Sequence, residues 1–135
     1  MSEPLVCAEH LKKYYESRRG LLARKTTLTR ALDDVSFSIV RGRTVGLVGE
    51  SGCGKSTAGK LLLNLIAPTE GKVTFDGTVL FDTEKRVSLS AKEMTALRCR
   101  MQLIFQDPYA SLNPRMTVLE LIMAPLEAFG IGTME

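Results

Sequence analysis

The sequence predicts an α/β fold with an antiparallel β portion, and three observations carry that prediction. A mostly apolar run, Thr44-Val45-Gly46-Leu47-Val48, leads through the loop Gly49-Glu50-Ser51-Gly52-Cys53-Gly54-Lys55-Ser56-Thr57 into an amphipathic stretch. Two β-patterned runs flank Asp76-Gly77, a dipeptide that favours a tight hairpin. Ser90-to-Glu93 and Thr117-to-Glu120 both carry the spacing of a helix capping box.

Taken in order, Leu5 to Ala8 reads as a short strand. Glu16 to Arg30 reads as an irregular stretch with Arg18, Arg19, Arg24, Lys25 and Arg30 clustered around Gly20, a solvated basic loop. From Ala31 to Val40 the apolar Val35, Phe37 and Ile39 alternate with Ser36 and Ser38, the period of a half-buried strand. Arg41-Gly42-Arg43 is a turn. The continuous apolar character of 44–48 predicts a buried parallel strand. Ala58, Leu61, Leu62, Leu65 and Ile66 then recur on one helical face. Pro68 closes that helix, because the residue before a proline is pushed out of the helical region. Lys72 to Phe75 and Thr78 to Phe81 are the hairpin strands. A short helix runs from Ser90 to about Arg98, Met101 to Phe105 is a further apolar strand, and a last helix opens at Thr117 and is kinked or ended by Pro125.

Composition narrows the possibilities. The chain has 135 residues, 44% hydrophobic and 24% charged, which suits one small globular domain. A net charge of +3 is too mild to argue for nucleic acid. The first residues do not read as a secretory signal, and no run approaches a membrane span. Cys7, Cys53 and Cys99 are scattered, which predicts reduced thiols rather than disulfides or a zinc site. His10, the single histidine, is expected in a surface or packing role.

The loop from Gly49 to Thr57 matches G-x-x-x-x-G-K-[ST] in full. Its glycines let the backbone curl until successive N–H groups converge on one anion, and the helix that follows adds unpaired donors and a favourable dipole. Lys55 is expected on the β- and γ-phosphates of a nucleoside triphosphate, Ser56 on Mg²⁺ and Thr57 on the α-phosphate. Cys53 reads as a tolerated small residue in the loop.

Two further stretches sharpen the class. Leu11-Lys12-Lys13-Tyr14-Tyr15 lies upstream of the loop. Downstream, Met101-Gln102-Leu103-Ile104-Phe105-Gln106 is followed by Asp107-Pro108-Tyr109-Ala110-Ser111-Leu112-Asn113-Pro114-Arg115-Met116. With the loop, these stretches resemble the ATP-binding cassette (ABC) family of transport ATPases, and within it the F-type ATP-binding subunit of the oligopeptide/dipeptide importer branch. The resemblance covers nearly the whole chain. It implies an α/β P-loop NTPase core with an antiparallel β subdomain, present as a partial ATP-binding domain over residues 1–135 and cut within its helical subdomain. The phosphate loop is 49–57 and the Q-loop region 106–116.

The resemblance also implies roles. Tyr15 would stack on adenine, with Tyr14 as the runner-up, and stacking predicts weak discrimination between ATP and GTP. Gln106 would touch Mg²⁺ and the attacking water, which makes it the catalytic candidate. Residues 107–116 would meet transmembrane permease subunits. A second ABC ATPase subunit would complete the site, a periplasmic or extracellular solute-binding protein would act indirectly, and the setting would be the cytoplasmic face of the inner membrane. The family's later elements, a Leu-Ser-Gly-Gly-Gln-type signature, a metal-binding Asp, a catalytic Glu and a switch His, do not occur after Gln106. Residues 1–135 alone are therefore expected to bind ATP-Mg²⁺ weakly and not to turn it over. A soluble, non-transport ABC ATPase and a non-catalytic nucleotide-binding fragment are the alternatives.

Overall fold

The computed structural model describes residues 3–18 and 26–131. The chain divides into two compact units, Met1–Leu89 and Ser90–Glu135.

The first unit is built on a five-stranded antiparallel sheet. Its strands are β1 (Pro4–Arg18), β2 (Thr26–Val40), β3 (Glu70–Phe75), β4 (Thr78–Asp82) and β5 (Val87–Ser88), in the order β2-β1-β3-β4-β5. β1 takes the second place in the sheet and pairs on both sides: Ala8 lies opposite Phe37 of β2 and Val73 of β3. Alternation survives where pairing is regular, so Val35, Phe37 and Ile39 are half-buried while Ser36 and Ser38 are exposed. The β3–β4 turn forms at Asp76-Gly77, with φ of 49° and 78°. Two successive positive φ values define the mirror-image turn that matches strand twist, and aspartate followed by glycine adopts it readily.

The strands β1 and β2 run far beyond the predicted Leu5–Ala8 and Ala31–Val40. Glu16 to Arg18 and Thr26 to Arg30 are strand, not irregular, while Arg19, Gly20, Arg24 and Lys25 lie outside the described residues. The extension is polar and is held by cross-strand backbone pairing, as in Tyr15 opposite Thr29 and Ser17 opposite Thr27. Register shifts between Ala8 and Tyr14 break the alternation. At this irregularity His10 and Asp34 take positive φ, and the exposed His10 ring bonds Asp34 through Nδ1 at 2.7 Å.

Helix α1 (Lys55–Leu62) follows the glycine loop and contacts β2. Ala58 and Leu61 form its buried face; Ala8, Leu11, Leu32, Val73, Phe75, Leu80 and Phe81 supply the rest of this unit's core from the strands. α1 ends earlier than Pro68 requires. Asn64 turns to φ 49°, its N–H donates to the Leu61 carbonyl, and the Leu65 N–H donates to the Lys60 carbonyl. That paired closure is a Schellman stop, and asparagine tolerates the left-handed position it needs. Leu65, expected on the apolar face, is consequently exposed.

The second unit contains α2 (Ala91–Arg98), α3 (Pro108–Ser111) and α4 (Val118–Ala128). Both predicted capping boxes form: the Ser90 and Thr117 hydroxyls accept from the Glu93 and Glu120 N–H groups, and each glutamate accepts from its cap's N–H. Pro125 does not end α4, which continues to Ala128.

Two expected strands are absent. Residues 44–48 and 101–105 carry no strand pairing, and Val48 and Ile104 are each 92% exposed. A strand's backbone groups must be met by neighbours, and a parallel strand needs cover on both faces as well. Neither run meets a strand partner among the described residues, so both apolar runs remain irregular.

Candidate phosphate-binding site

The loop 49–57 follows exposed, irregular chain and ends on α1, both within the first unit. Its first turn is closed by the Cys53 N–H donating to the Glu50 carbonyl at 3.3 Å. Gly52 and Gly54 take φ of 83° and 99°. Gly54 is the N-cap of α1, and having no side chain it leaves the first-turn N–H groups without the usual capping oxygen. No acidic residue lies in that first turn. The result is a set of backbone donors at the positive end of a helix, the electrostatic requirement for an anion.

The position of Gly54 is also set by packing. A Cβ there would lie 2.2 Å from the Ala31 carbonyl oxygen and 3.1 Å from Leu32 Cδ2, so the loop runs directly against β2. Lys55 folds back across the loop, its ammonium donating to the Gly49 carbonyl at 2.7 Å and the Glu50 carbonyl at 2.6 Å. Its Nζ is also 3.5 Å from Cys53 Sγ. Ser56 is exposed and Thr57 half-buried. Uncapped donors, a cation at the loop mouth and an exposed hydroxyl next to it are a donor set that fits a polyphosphate with its metal.

Tyr15 lies on β1 and is 43% exposed; the Lys13 ammonium sits 4.8 Å from its ring centroid. Tyr14 is engaged differently. Its hydroxyl donates to the Asp33 carboxylate, the Arg30 guanidinium lies 5.5 Å from its ring centroid, and Arg30 pairs with the other Asp33 oxygen at 3.1 Å. The Tyr14 bond holds Asp33 below the usual carboxylate range, and the same bond raises Tyr14. Each stabilises the form present at neutral pH. The Asp33 contribution is complete above its ordinary value and fades as pH falls through its lowered one. The Tyr14 contribution is complete below its ordinary value of about 10 and fades as pH rises through its raised one. Tyr14 ionisation followed by ultraviolet absorbance is therefore expected at higher pH than that of an unhindered tyrosine, and Asp33→Asn is expected to return it toward about 10.

Gln106 belongs to the second unit. It is exposed and, with Phe105, Asp107 and Ser111, lines an open pocket of about 410 Å³. The segment after it is shaped by local turns: the Asp107 carboxylate accepts from the Tyr109 N–H, the Ser111 hydroxyl donates to the Asp107 carbonyl, and the Asn113 side chain accepts from the Arg115 N–H. Tyr109 is left 88% exposed. A polar cleft of about 800 Å³ in the first unit, between His10, Asp34, Glu70, Lys72 and Lys85, contains none of the predicted site residues. Sequence reasoning missed the Tyr14–Asp33–Arg30 cluster, which depends on the β1–β2 register, and the Ala31 carbonyl beneath Gly54, which depends on the loop packing against β2; no spacing in the chain signals either.

A glycine loop with the G-x-x-x-x-G-K-[ST] pattern at the N-terminus of α1, attached to an antiparallel sheet, marks a candidate nucleotide-binding domain of the P-loop class. Residues 32–131 match the family model for the ABC transporter, and the chain belongs to that family. It is 49% identical over 130 residues to a Brucella ovis ATP-binding protein named for peptide import, covering 96% of this chain and 37% of the relative. It is 42% identical over 132 residues to the oligopeptide transport ATP-binding protein AppF of Bacillus subtilis, covering 98% of this chain and 39% of AppF. The chain thus spans between a third and two-fifths of the length of these relatives. Among solved structures it resembles the ATP-binding cassette MJ0796 in a dimeric, post-hydrolysis state bound to ADP and Pi. That likeness has a TM-score of 0.73 at 30% identity, over 96% of this chain and 50% of the cassette. The fold is therefore that of an ABC cassette, with its antiparallel subdomain formed here as β1 to β5.

Proposed function

We propose that residues 1–135 form the nucleotide-binding portion of an ATPase subunit in an ABC importer for peptides or similar small solutes. The observation that carries this reading is the loop itself: an uncapped helix N-terminus joined to a lysine whose ammonium already spans the loop mouth. In this reading Gly49 to Thr57 bind the phosphates, Lys55 contacts the β- and γ-phosphates, and Thr57 contacts the α-phosphate. Ser56 and Gln106 would hold Mg²⁺, which when bound supplies charge neutralisation at the transferring phosphate. Gln106 orients the water, since its amide both donates and accepts. Tyr15 is the platform for adenine. Residues 107–116 meet the permease subunits, a second ATPase subunit completes the site, and a solute-binding protein acts through the permease. The assembly sits on the cytoplasmic face of the membrane, where this chain is peripheral; among the described residues no helix is long and apolar enough to cross a membrane.

Calorimetric titration tests the nucleotide reading. ATP with Mg²⁺ is expected to bind and AMP to bind far more weakly, because the phosphates provide the anchoring contacts. GTP is expected within about tenfold of ATP, since stacking is tolerant of the base. A thousand-fold preference for ATP would remove Tyr15 stacking as the main base contact. Residues 1–135 alone are expected to show no turnover above a Lys55→Ala control. Co-purification with polytopic membrane subunits, abolished by substitutions within 107–116, separates the importer from a soluble ATPase of the same family.

A further inference from the structure

Lys13 makes two contacts that connect different parts of the first unit. Its ammonium donates to the Ala67 carbonyl at 2.8 Å and lies 4.8 Å from the centroid of the Tyr15 ring. Ala67 belongs to the short segment between α1 and β3, the chain that leaves the P-loop helix. That segment is fastened to β1 twice more, by the Thr69 N–H donating to the Lys12 carbonyl and the Tyr14 N–H donating to the Thr69 hydroxyl, both at 2.9 Å. The backbone on which Tyr15 stands is thus fixed relative to the end of α1, and Lys13 extends that fixation to the Tyr15 ring.

We propose that Lys13 is a positioning residue for the nucleotide base: its ammonium, anchored on Ala67, holds the Tyr15 ring from one face and leaves the ring ordered for a base to stack. This rests on the reading of Tyr15 as the base platform. An exposed tyrosine loses side-chain freedom when a base lies on it, and that loss subtracts from affinity. A cation already placed over the ring restricts it beforehand, and the anchor on a backbone carbonyl stops the lysine from wandering in turn. The same contact ties ring orientation to the segment that leaves the helix presenting the backbone donors, which restricts how far base and phosphates can move apart.

The test compares ATP with inorganic triphosphate, which has no base, in the full natural polypeptide carrying these residues. Lys13→Met keeps the aliphatic stem and removes both contacts; it is expected to weaken ATP binding roughly three- to tenfold and to leave triphosphate binding unchanged. Lys13→Arg keeps a cation for both contacts and is expected to restore ATP affinity. Lys13→Gln retains an amide donor for Ala67 without the charge over the ring, and is expected to reproduce the ATP-specific loss even if the methionine variant folds poorly. In a Tyr15→Leu background, Lys13→Met is expected to have no further effect. Equal weakening of ATP and triphosphate would mean that Lys13 only supports the fold, and would overturn the proposal. If Tyr15→Leu lowers the ratio of ATP to triphosphate affinity while Lys13→Met and Lys13→Gln leave it unchanged, the proposal is overturned and the platform reading stands. If Tyr15→Leu itself leaves the ratio unchanged, the platform reading falls and takes this proposal with it.

Discussion

Lys55→Ala is expected to weaken ATP binding about 100-fold while leaving the far-ultraviolet dichroism of the domain unchanged. Lys55 is half-buried, and its ammonium is held by the Gly49 and Glu50 carbonyls, at 2.7 and 2.6 Å. A polyphosphate arriving at the loop meets a cation already in place. Each charge-assisted hydrogen bond contributes about 1.5–3 kcal/mol, so losing two weaker ones or one strong one removes roughly 3 kcal/mol. Within this loop no other cationic side chain is available to replace it. Lys55→Arg is not an equivalent control, because a larger, planar guanidinium directs its donors differently from a compact, rotating ammonium. Titration with ATP and with triphosphate should show the same loss, since the contact is to phosphate. An ATP affinity within threefold of the parent would remove Lys55 from the binding role.

The features read correctly from the sequence are those decided by a few adjacent residues. Asp76-Gly77 forms its turn because both residues tolerate positive φ, and Ser90 and Thr117 form capping boxes because each partner lies three residues away. That the glycine loop leads straight into a helix is legible for the same reason, with Gly54 at the N-cap position of α1. What was misread depends on distant partners. Val45, Leu47, Ile104 and Phe105 are apolar enough for buried strands, yet each is at least half exposed, because a strand exists only where a neighbour accepts its hydrogen bonds. Conversely, Glu16, Ser17, Thr27 and Thr29 look like loop and are strand, since β1 and β2 pair along their whole length. The lost alternation near His10 and Asp34 concealed that continuity. Around the site, the Tyr14–Asp33 contact belongs to this same register, and the Lys13–Ala67 contact joins β1 to the segment after α1; motif spacing signals neither.

Gly54→Ala is expected to destabilise the first unit by roughly 3 kcal/mol or more and to abolish phosphate binding with it. Two costs combine at this residue. Its φ of 99° lies where an L side chain is strained, about 1–2 kcal/mol. Its added Cβ would also stand 2.2 Å from the Ala31 oxygen, well inside contact distance. That oxygen is backbone in a strand paired with β1, and Leu32 beside it is buried, so β2 has little freedom to retreat. The loop must move instead, carrying the α1 N-terminus and its donors away from their convergent arrangement. Gly52→Ala separates the two costs. Its φ of 83° is equally unfavourable, but nothing lies within 4 Å of the added atom. Gly52→Ala should therefore lower the melting temperature modestly and retain measurable triphosphate affinity, where Gly54→Ala loses both. Equal melting temperatures for the two variants would show that the Ala31 carbonyl yields, and that the loop is not seated against β2 in solution.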